Sequence, residues 1–208
     1  MEIPESIKYI NHSFNGCSSI EKLTIPNSVL KIKNGAFGGC KSLKSLTIPS
    51  SVTTIEIGAF NGCSGLERIV VDPGNQKYDS RDDCNAIIDK ENNELILGCR
   101  FTEIPNDVTS IAEEAFNGKF GQIIIPSSVK KINSLAFYEC VKTVKVMSST
   151  PPELDINVFY EVYSPFGDKV SDEKQNEYSL IVPCGCKKAY EESDWSWYFP
   201  NIKEDCNK

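Results

Sequence analysis

Apolar residues recur along this chain in a fixed order. Ile25-Pro26-Asn27-Ser28-Val29 returns as Ile48-Pro49-Ser50-Ser51-Val52, as Ile104-Pro105-Asn106-Asp107-Val108 and as Ile125-Pro126-Ser127-Ser128-Val129, with an earlier copy at Ile3-Pro4-Glu5-Ser6-Ile7. Three residues after the Val or Ile stands Ile10, Ile32, Ile55, Ile111 or Ile132. A small residue and a Phe follow: Ser13-Phe14, Ala36-Phe37, Ala59-Phe60, Ala115-Phe116 and Ala136-Phe137. Cys17, Cys40, Cys63 and Cys140 each come three residues after that Phe. Every unit closes on Leu-x-x-Leu-x-Ile or an apolar equivalent: Ile20, Leu23, Ile25; Leu43, Leu46, Ile48; Leu66, Ile69, Val71; Phe120, Ile123, Ile125; Val141, Val144, Val146. The first units step by 22 or 23 residues, from Ile10 to Ile32 to Ile55, and the later ones lose two residues between the Phe and the closing pattern.

A period in the twenties that closes on Leu-x-x-Leu-x-Ile predicts a leucine-rich-repeat solenoid. Each unit supplies one short parallel strand and returns through a turn-rich segment, winding a right-handed superhelix whose convex side is mostly irregular or short-helical. The Pro after each strand lacks an N–H donor, so it ends the strand and starts the return path. Gly16, Gly38, Gly39 and Gly62, just before the cysteines, mark a sharp bend after the Phe. One coil buries too few side chains to offset the entropy of ordering its backbone. The units must therefore stack, and the array needs caps at its ends.

The period lapses after residue 71. Ala86-Ile87-Ile88 and Leu95-Ile96-Leu97 are apolar runs separated by Asp89-Lys90-Glu91-Asn92-Asn93-Glu94, which predicts an inserted β-hairpin that projects from the solenoid edge. The repeat resumes with Cys99, Thr102 and Ile104 in the three closing positions and fades again after Val146. Ser179-Leu180-Ile181-Val182-Pro183 resembles one more strand, and Tyr190, Trp195, Trp197, Tyr198, Phe199 and Ile202 offer enough aromatic area to cover a last coil. The expected single domain thus divides into repeats (1–71), a hairpin insertion (72–98), repeats (99–147), a degenerate repeat and loop (148–178) and a C-terminal cap (179–208).

Charge narrows the partners. The formal net charge is −7 and the pI is near 4.9, whereas a nucleic-acid ligand requires clustered Lys and Arg. The chain has no run of eighteen apolar residues and hence no membrane span. Met1-Glu2-Ile3-Pro4 does not start a signal peptide but falls inside a repeat, which suggests a trimmed chain or a fragment of a longer array.

Candidate chemistry is sparse, and neither a catalytic site nor a cofactor or metal is expected. The sole His, His12, aligns with Gly35 and Gly58, so it reads as a solvent-facing substitution rather than a general base. Among the nine cysteines, Cys17, Cys40 and Cys63 should stack at about 4.8 Å, within disulfide range, but with side chains pointing the same way. Reduced, buried thiols are expected there. Zinc would need paired Cys-x-x-Cys spacing that the ladder lacks. Cys184, Cys186 and Cys206 form a separate set able to make one bridge. Asp79, Asp82, Asp83 and Asp89 near the hairpin do not match a calcium loop and read as a solvated polar turn. No spacing favours any pair of carboxylates for glycoside hydrolysis.

Strand alternation turns the residues flanking the second Leu outward. They form the candidate ligand face: Lys22 and Thr24, Ser45 and Thr47, Arg68 and Val70, Phe101 and Glu103, Gln122 and Ile124, Thr143 and Lys145. This mixed row suits protein contacts better than an ionic ligand.

The Ile-Pro-x-Ser-Val-x-x-Ile…Ala-Phe-x-x-Cys units, the insert Tyr78-Asp79-Ser80-Arg81-Asp82-Asp83-Cys84-Asn85-Ala86-Ile87-Ile88 and the ending Val182-Pro183-Cys184-Gly185…Tyr190…Trp195 resemble the BspA-like leucine-rich repeats of bacterial surface proteins, Bacteroides relatives especially. The better-known members of that family are described as adhesins that bind host matrix proteins or other bacteria. The resemblance thus implies a cell-surface or secreted, non-catalytic adhesion or protein-binding module, with no catalytic residue to carry over. A rigid spacer displaying other domains is the alternative, and a polysaccharide-active enzyme a remote one.

Overall fold

The computed structural model describes residues 3–116, 120–138, 141–159 and 178–206, with Phe120 described by its backbone alone. Cys140 and the polar stretch 160–177 lie outside the described residues. In chain order the strands are β1 (Tyr9–Ile10), β2 (Lys31–Ile32), β3 (Ser45–Ile48), β4 (Thr54–Ile55), β5 (Arg68–Val71), β6 (Tyr78–Asp79), β7 (Ala86–Asp89), β8 (Glu94–Gly98), β9 (Ser110–Ile111), β10 (Phe120–Ile125), β11 (Lys131–Ile132), β12 (Val141–Val146), β13 (Glu153–Leu154), β14 (Ser179–Pro183) and β15 (Ile202–Asp205). They build the expected parallel-strand solenoid, but with two ladders rather than one.

The closing pattern of each repeat forms the first ladder. Here β3 pairs with β5, setting Leu46 beside Ile69 and Ile48 beside Val71, and β10, β12, β14 and β15 run side by side, all parallel. The Ile three residues after each Val forms a second ladder of two-residue strands, in which Ile10, Ile32 and Ile55 lie in register. Between the ladders the phenyl rings stack. Phe14, Phe37 and Phe60 are spaced 5.3 Å apart, centroid to centroid. Phe116 to Phe137 is 5.0 Å and Phe137 to Phe159 is 5.3 Å. Wider than the strand spacing of about 4.8 Å, these distances offset near-parallel rings, the arrangement their quadrupoles favour.

Polar side chains at fixed repeat positions add a second set of coil-to-coil bonds. Ser28 Oγ donates to the Ile7 carbonyl and Ser51 Oγ to the Val29 carbonyl, both at 2.7 Å. Cys40 and Cys63 do not bond each other. Their thiols donate to the Phe14 and Phe37 carbonyls at 3.3 and 3.2 Å. Cys17, Cys40, Cys63, Cys84 and Cys99 are all free.

The hairpin does not project. β8 pairs in parallel with β9 and so becomes the starting strand of the later second ladder, while β7 and β6 continue the sheet on its other side. Ala86, Ile87, Ile88 and Asp89 are all buried. Ala86, Ile88 and Leu95 enter the core of the later coils, whereas Ile87, Leu97 and Cys99 enter that of the earlier ones. The hairpin is a partition wall, with β7 buried along its length and β8 only partly exposed at Glu94 and Ile96, which is why its two runs are continuously apolar instead of alternating. The solvated reading of the acidic residues is corrected for Asp89 alone, since Asp82 and Asp83 are exposed and Asp79 is half-buried. Asp89 is only 6% exposed, and its carboxylate pairs with Lys77 Nζ at 3.0 Å.

Both ladders break at this wall, and side-chain oxygens replace the missing strand. Tyr78 Oη accepts from Ile55 N at 3.0 Å, Ser80 Oγ from Val71 N at 3.0 Å and Asn85 Oδ1 from Ile69 N at 3.4 Å. Buried Asn75 donates to the Pro49 and Val52 carbonyls at 2.8 and 2.9 Å and accepts from Lys77 N and Tyr78 N at 2.9 and 2.8 Å, which saturates its amide.

At the C-terminal end Phe159 meets the rings of Trp195, Tyr198 and Phe199 at 5.7, 5.4 and 4.9 Å. Trp195 and Tyr190 reach partners with their polar atoms: Trp195 Nε1 donates to the Pro152 carbonyl at 2.9 Å and Tyr190 Oη to the Ser148 carbonyl at 2.8 Å. A disulfide between Cys184 and Cys206 joins β14 to β15, leaving Cys186 free.

The ring spine passes the wall at Gly98, where an added Cβ would lie 2.2 Å from the Phe116 ring. Gly98→Ala is expected to lower the unfolding free energy in a denaturant titration by about 1–3 kcal/mol through overpacking. Gly121→Ala, where a Cβ meets nothing within 4 Å, should not lower it.

Candidate functional site

The candidate ligand face lies on the first ladder, because a parallel strand whose alternate side chains fill the core presents the others to water. None of its twelve residues is buried. Lys22, Thr24, Thr47, Arg68, Phe101, Glu103, Gln122 and Ile124 are exposed, and Ser45, Val70, Thr143 and Lys145 are half-buried. Register brings the first six together, since Lys22 bridges to Ser45, Ser45 pairs with Arg68 and Thr47 with Val70. The last four also meet, Gln122 beside Thr143 and Ile124 beside Lys145.

Phe101 and Glu103 join neither group through a strand, because residues 101–104 are not extended into the ladder. The Arg100 guanidinium sits 5.5 Å from the Phe101 ring centroid, and Asn85 Nδ2 donates to the Phe101 carbonyl at 3.4 Å. A cavity of about 440 Å³ opens in this gap, with Arg68, Val70, Pro73, Ser80, Asp83 and Asn85 in its lining.

Beyond Lys145 the face continues further than sequence reasoning placed it. Ser179 pairs with Thr143, Ile181 with Lys145, and Lys203 with Ile181. Lys145 Nζ reaches Asp205 Oδ2 at 2.6 Å, and the Thr143 and Ser179 hydroxyls are 3.3 Å apart. Alternation within Ser179-Leu180-Ile181-Val182 was the available signal, but the lost period left no register for assigning it to the row.

Other titratable groups stand exposed or form small ion-pair groups. His12 is exposed, at a φ of 50° where the next coils place Gly35 and Gly58 at 63° and 74°. Asp79 and Asp107 both hold Arg81, at 2.9 and 2.5 Å, and these contacts, Asp79 foremost, raise its pKa above the usual guanidinium value. Asp82 and Asp83 are exposed. Among the described residues one group of three side chains lies close enough to share a metal ion, namely Cys184, Glu204 and Cys206. Its two sulfurs are already bonded to each other.

With this geometry in hand, comparison with known proteins gives a consistent result. The BspA type leucine-rich repeat region matches residues 1–82 and 96–164 in six copies. No curated protein matches the chain. The crystal structure of the pneumococcal vaccine antigen PcpA is similar over 99% of this chain and 67% of that one, with a TM-score of 0.57 and 17% identity. A leucine-rich cell surface protein from Faecalibacterium prausnitzii is similar over 100% of this chain and 60% of its own, with a TM-score of 0.54 and 21% identity. At these identities the likeness is one of fold. The chain spans about two thirds or less of the length of these neighbours.

Burial shapes the thiol chemistry. Desolvation is the largest influence on Cys40, Cys63, Cys84 and Cys99 and raises each pKa, to about 12 for Cys63 and about 11 for Cys84. At neutral pH these thiols stay protonated and poorly nucleophilic. Native protein treated with iodoacetamide at pH 7.5, a value of about one unit below an ordinary thiol pKa, should label Cys186 and Cys17 well before these four. Because the folded pKa values are raised, the associated stability is complete below an unfolded value of 9.0 and is lost as pH rises toward about 12. The unfolding midpoint should fall across that window in the wild type, and less in Cys63→Ala.

Proposed function

Since the chain belongs to the BspA type leucine-rich repeat family, we propose that it is a non-catalytic protein-recognition or adhesion module of a bacterial cell-surface or secreted protein, and that it binds on the outward row of the first ladder. The observation that carries this reading is the face itself. It couples exposed apolar side chains, Ile124 at 53% on the sheet and Phe101 at 54% in the loop where the ladder skips a strand, to polar neighbours, the combination from which protein interfaces draw their binding energy. The Cys184–Cys206 disulfide supports an oxidising compartment. The pneumococcal antigen and the Faecalibacterium cell surface protein support a surface location. Host matrix proteins and bacterial surface proteins are the proposed ligands.

A rigid spacer is the second reading. It is favoured by the hairpin wall, whose side chains enter both cores and stiffen the array.

Immobilised protein should bind a matrix protein such as collagen or fibronectin, or a bacterial surface fraction, saturably. Replacing Phe101 and Ile124 together with Asp should weaken that binding by at least about 1 kcal/mol per anchor, with unchanged circular dichroism. Consistent absence of saturable binding across the panel would favour the spacer.

A further inference from the structure

The C-terminal cap exposes a ring that its own packing does not need. Trp195 is 1% exposed and hydrogen-bonded, Tyr190 and Phe199 are buried beside it, and these with Tyr198 cover Phe159. Trp197, in the same short helix Trp195–Tyr198, is 68% exposed. The most exposed of the large apolar residues described, Ile156 at 71%, lines the same cavity as Trp197. Scattered apolar residues on a surface need no explanation, but two that share one hollow do.

This hollow measures about 290 Å³ and lies between the turn after β13 and the cap helix. Asp155, Asn157, Asp194 and Tyr198 are the lining residues with polar side-chain atoms, and among the described residues no Lys, Arg or His lines it. Asp194 precedes the helix without capping it through its side chain, and Asp155 accepts only a local bond among the described residues, from Ile156 N at 2.8 Å. Asp155 also borders a second hollow, whose lining includes Glu56, Glu94, Glu113 and Glu114 and, among the described residues, no basic one. Carboxylates thus line both hollows. An indole face flanked by carboxylates recognises a cation, which gains from the ring quadrupole and from charge together. The volume sits at the lower limit of about 300 Å³ for small-molecule pockets, which suits one side chain better than a larger ligand.

We propose that this pocket receives the guanidinium of an arginine side chain from a protein partner, stacked on Trp197 and paired with Asp155 and Asp194. The pocket is a second recognition site, separate from the strand face. It rests on the reading that the chain binds proteins but not on which residues of the first ladder do so.

The test uses the whole chain and a blocked Gly-Gly-Arg-Gly-Gly peptide, with the same peptide carrying citrulline, the uncharged isostere of arginine, as control. Trp195 and Trp197 are the two tryptophans, so their indole N–H resonances report separately. The Arg peptide should shift the Trp197 resonance saturably and leave that of Trp195 in place, with weaker binding at higher salt. The citrulline peptide, Trp197→Ala and the Asp155→Asn/Asp194→Asn pair should each reduce affinity by about three- to fivefold or more, and Trp197→Phe should retain part of it. Equal binding of the arginine and citrulline peptides would overturn the proposal. So would a Trp197 shift with chitotriose but not with the Arg peptide, which would assign the pocket to a neutral glycan. Absence of any Trp197 shift would overturn it as well. Matrix binding through the strand face should persist in Trp197→Ala, so a failed pocket leaves the recognition reading standing.

Discussion

No coil of this protein can bury its own apolar side chains or satisfy its own backbone. A turn of the solenoid has two open faces, and each N–H and C=O on its strands points along the stacking axis toward the next coil. Stability therefore resides in contacts between neighbours. Phe37 lies between Phe14 and Phe60, Ile32 between Ile10 and Ile55, and Ser51 donates to the coil before it. A residue at one repeat position is selected by its counterparts in the two adjoining coils, which is why the same side chain recurs at each turn.

A stack held this way is vulnerable wherever the period fails, and it fails at the insertion. There the molecule keeps both requirements of stacking but meets them with other groups. The hairpin supplies apolar side chains to both sides, Ile87 to one core and Ile88 to the other, so no coil face is left open. Oxygens of Tyr78, Ser80 and Asn85 stand in for strand carbonyls. At the far end the same need is met by Trp195, Tyr198 and Phe199 over Phe159. The wall and the cap also create hollows: the gap near Arg68 and Asn85 exists because the first ladder skips a strand, and the pocket beside Trp197 because a helix ends the stack.

The candidate face shows how sequence and structure share the work. Alternation within a strand placed Thr47 and Ile124 on the outside, since a strand with one buried face has no other choice. Whether those residues formed one row depended on the fate of residues 100–104, and that was decided by the hairpin, whose position does not follow from periodicity. The hairpin's burial did leave a trace. A projecting hairpin alternates polar and apolar residues, whereas Ala86-Ile87-Ile88 and Leu95-Ile96-Leu97 do not.

From the order of residues alone came the solenoid, the parallel first ladder and the inward or outward sense of each position in the closing pattern, because these obey local periodicity repeated many times. The second ladder, the role of the hairpin as a wall, the choice of Cys206 as partner for Cys184 and the meeting of Ile156 with Trp197 came only from the folded chain. Each of those joins residues outside the repeat or in different segments, and their proximity is set by how the coils stop stacking rather than by how they stack.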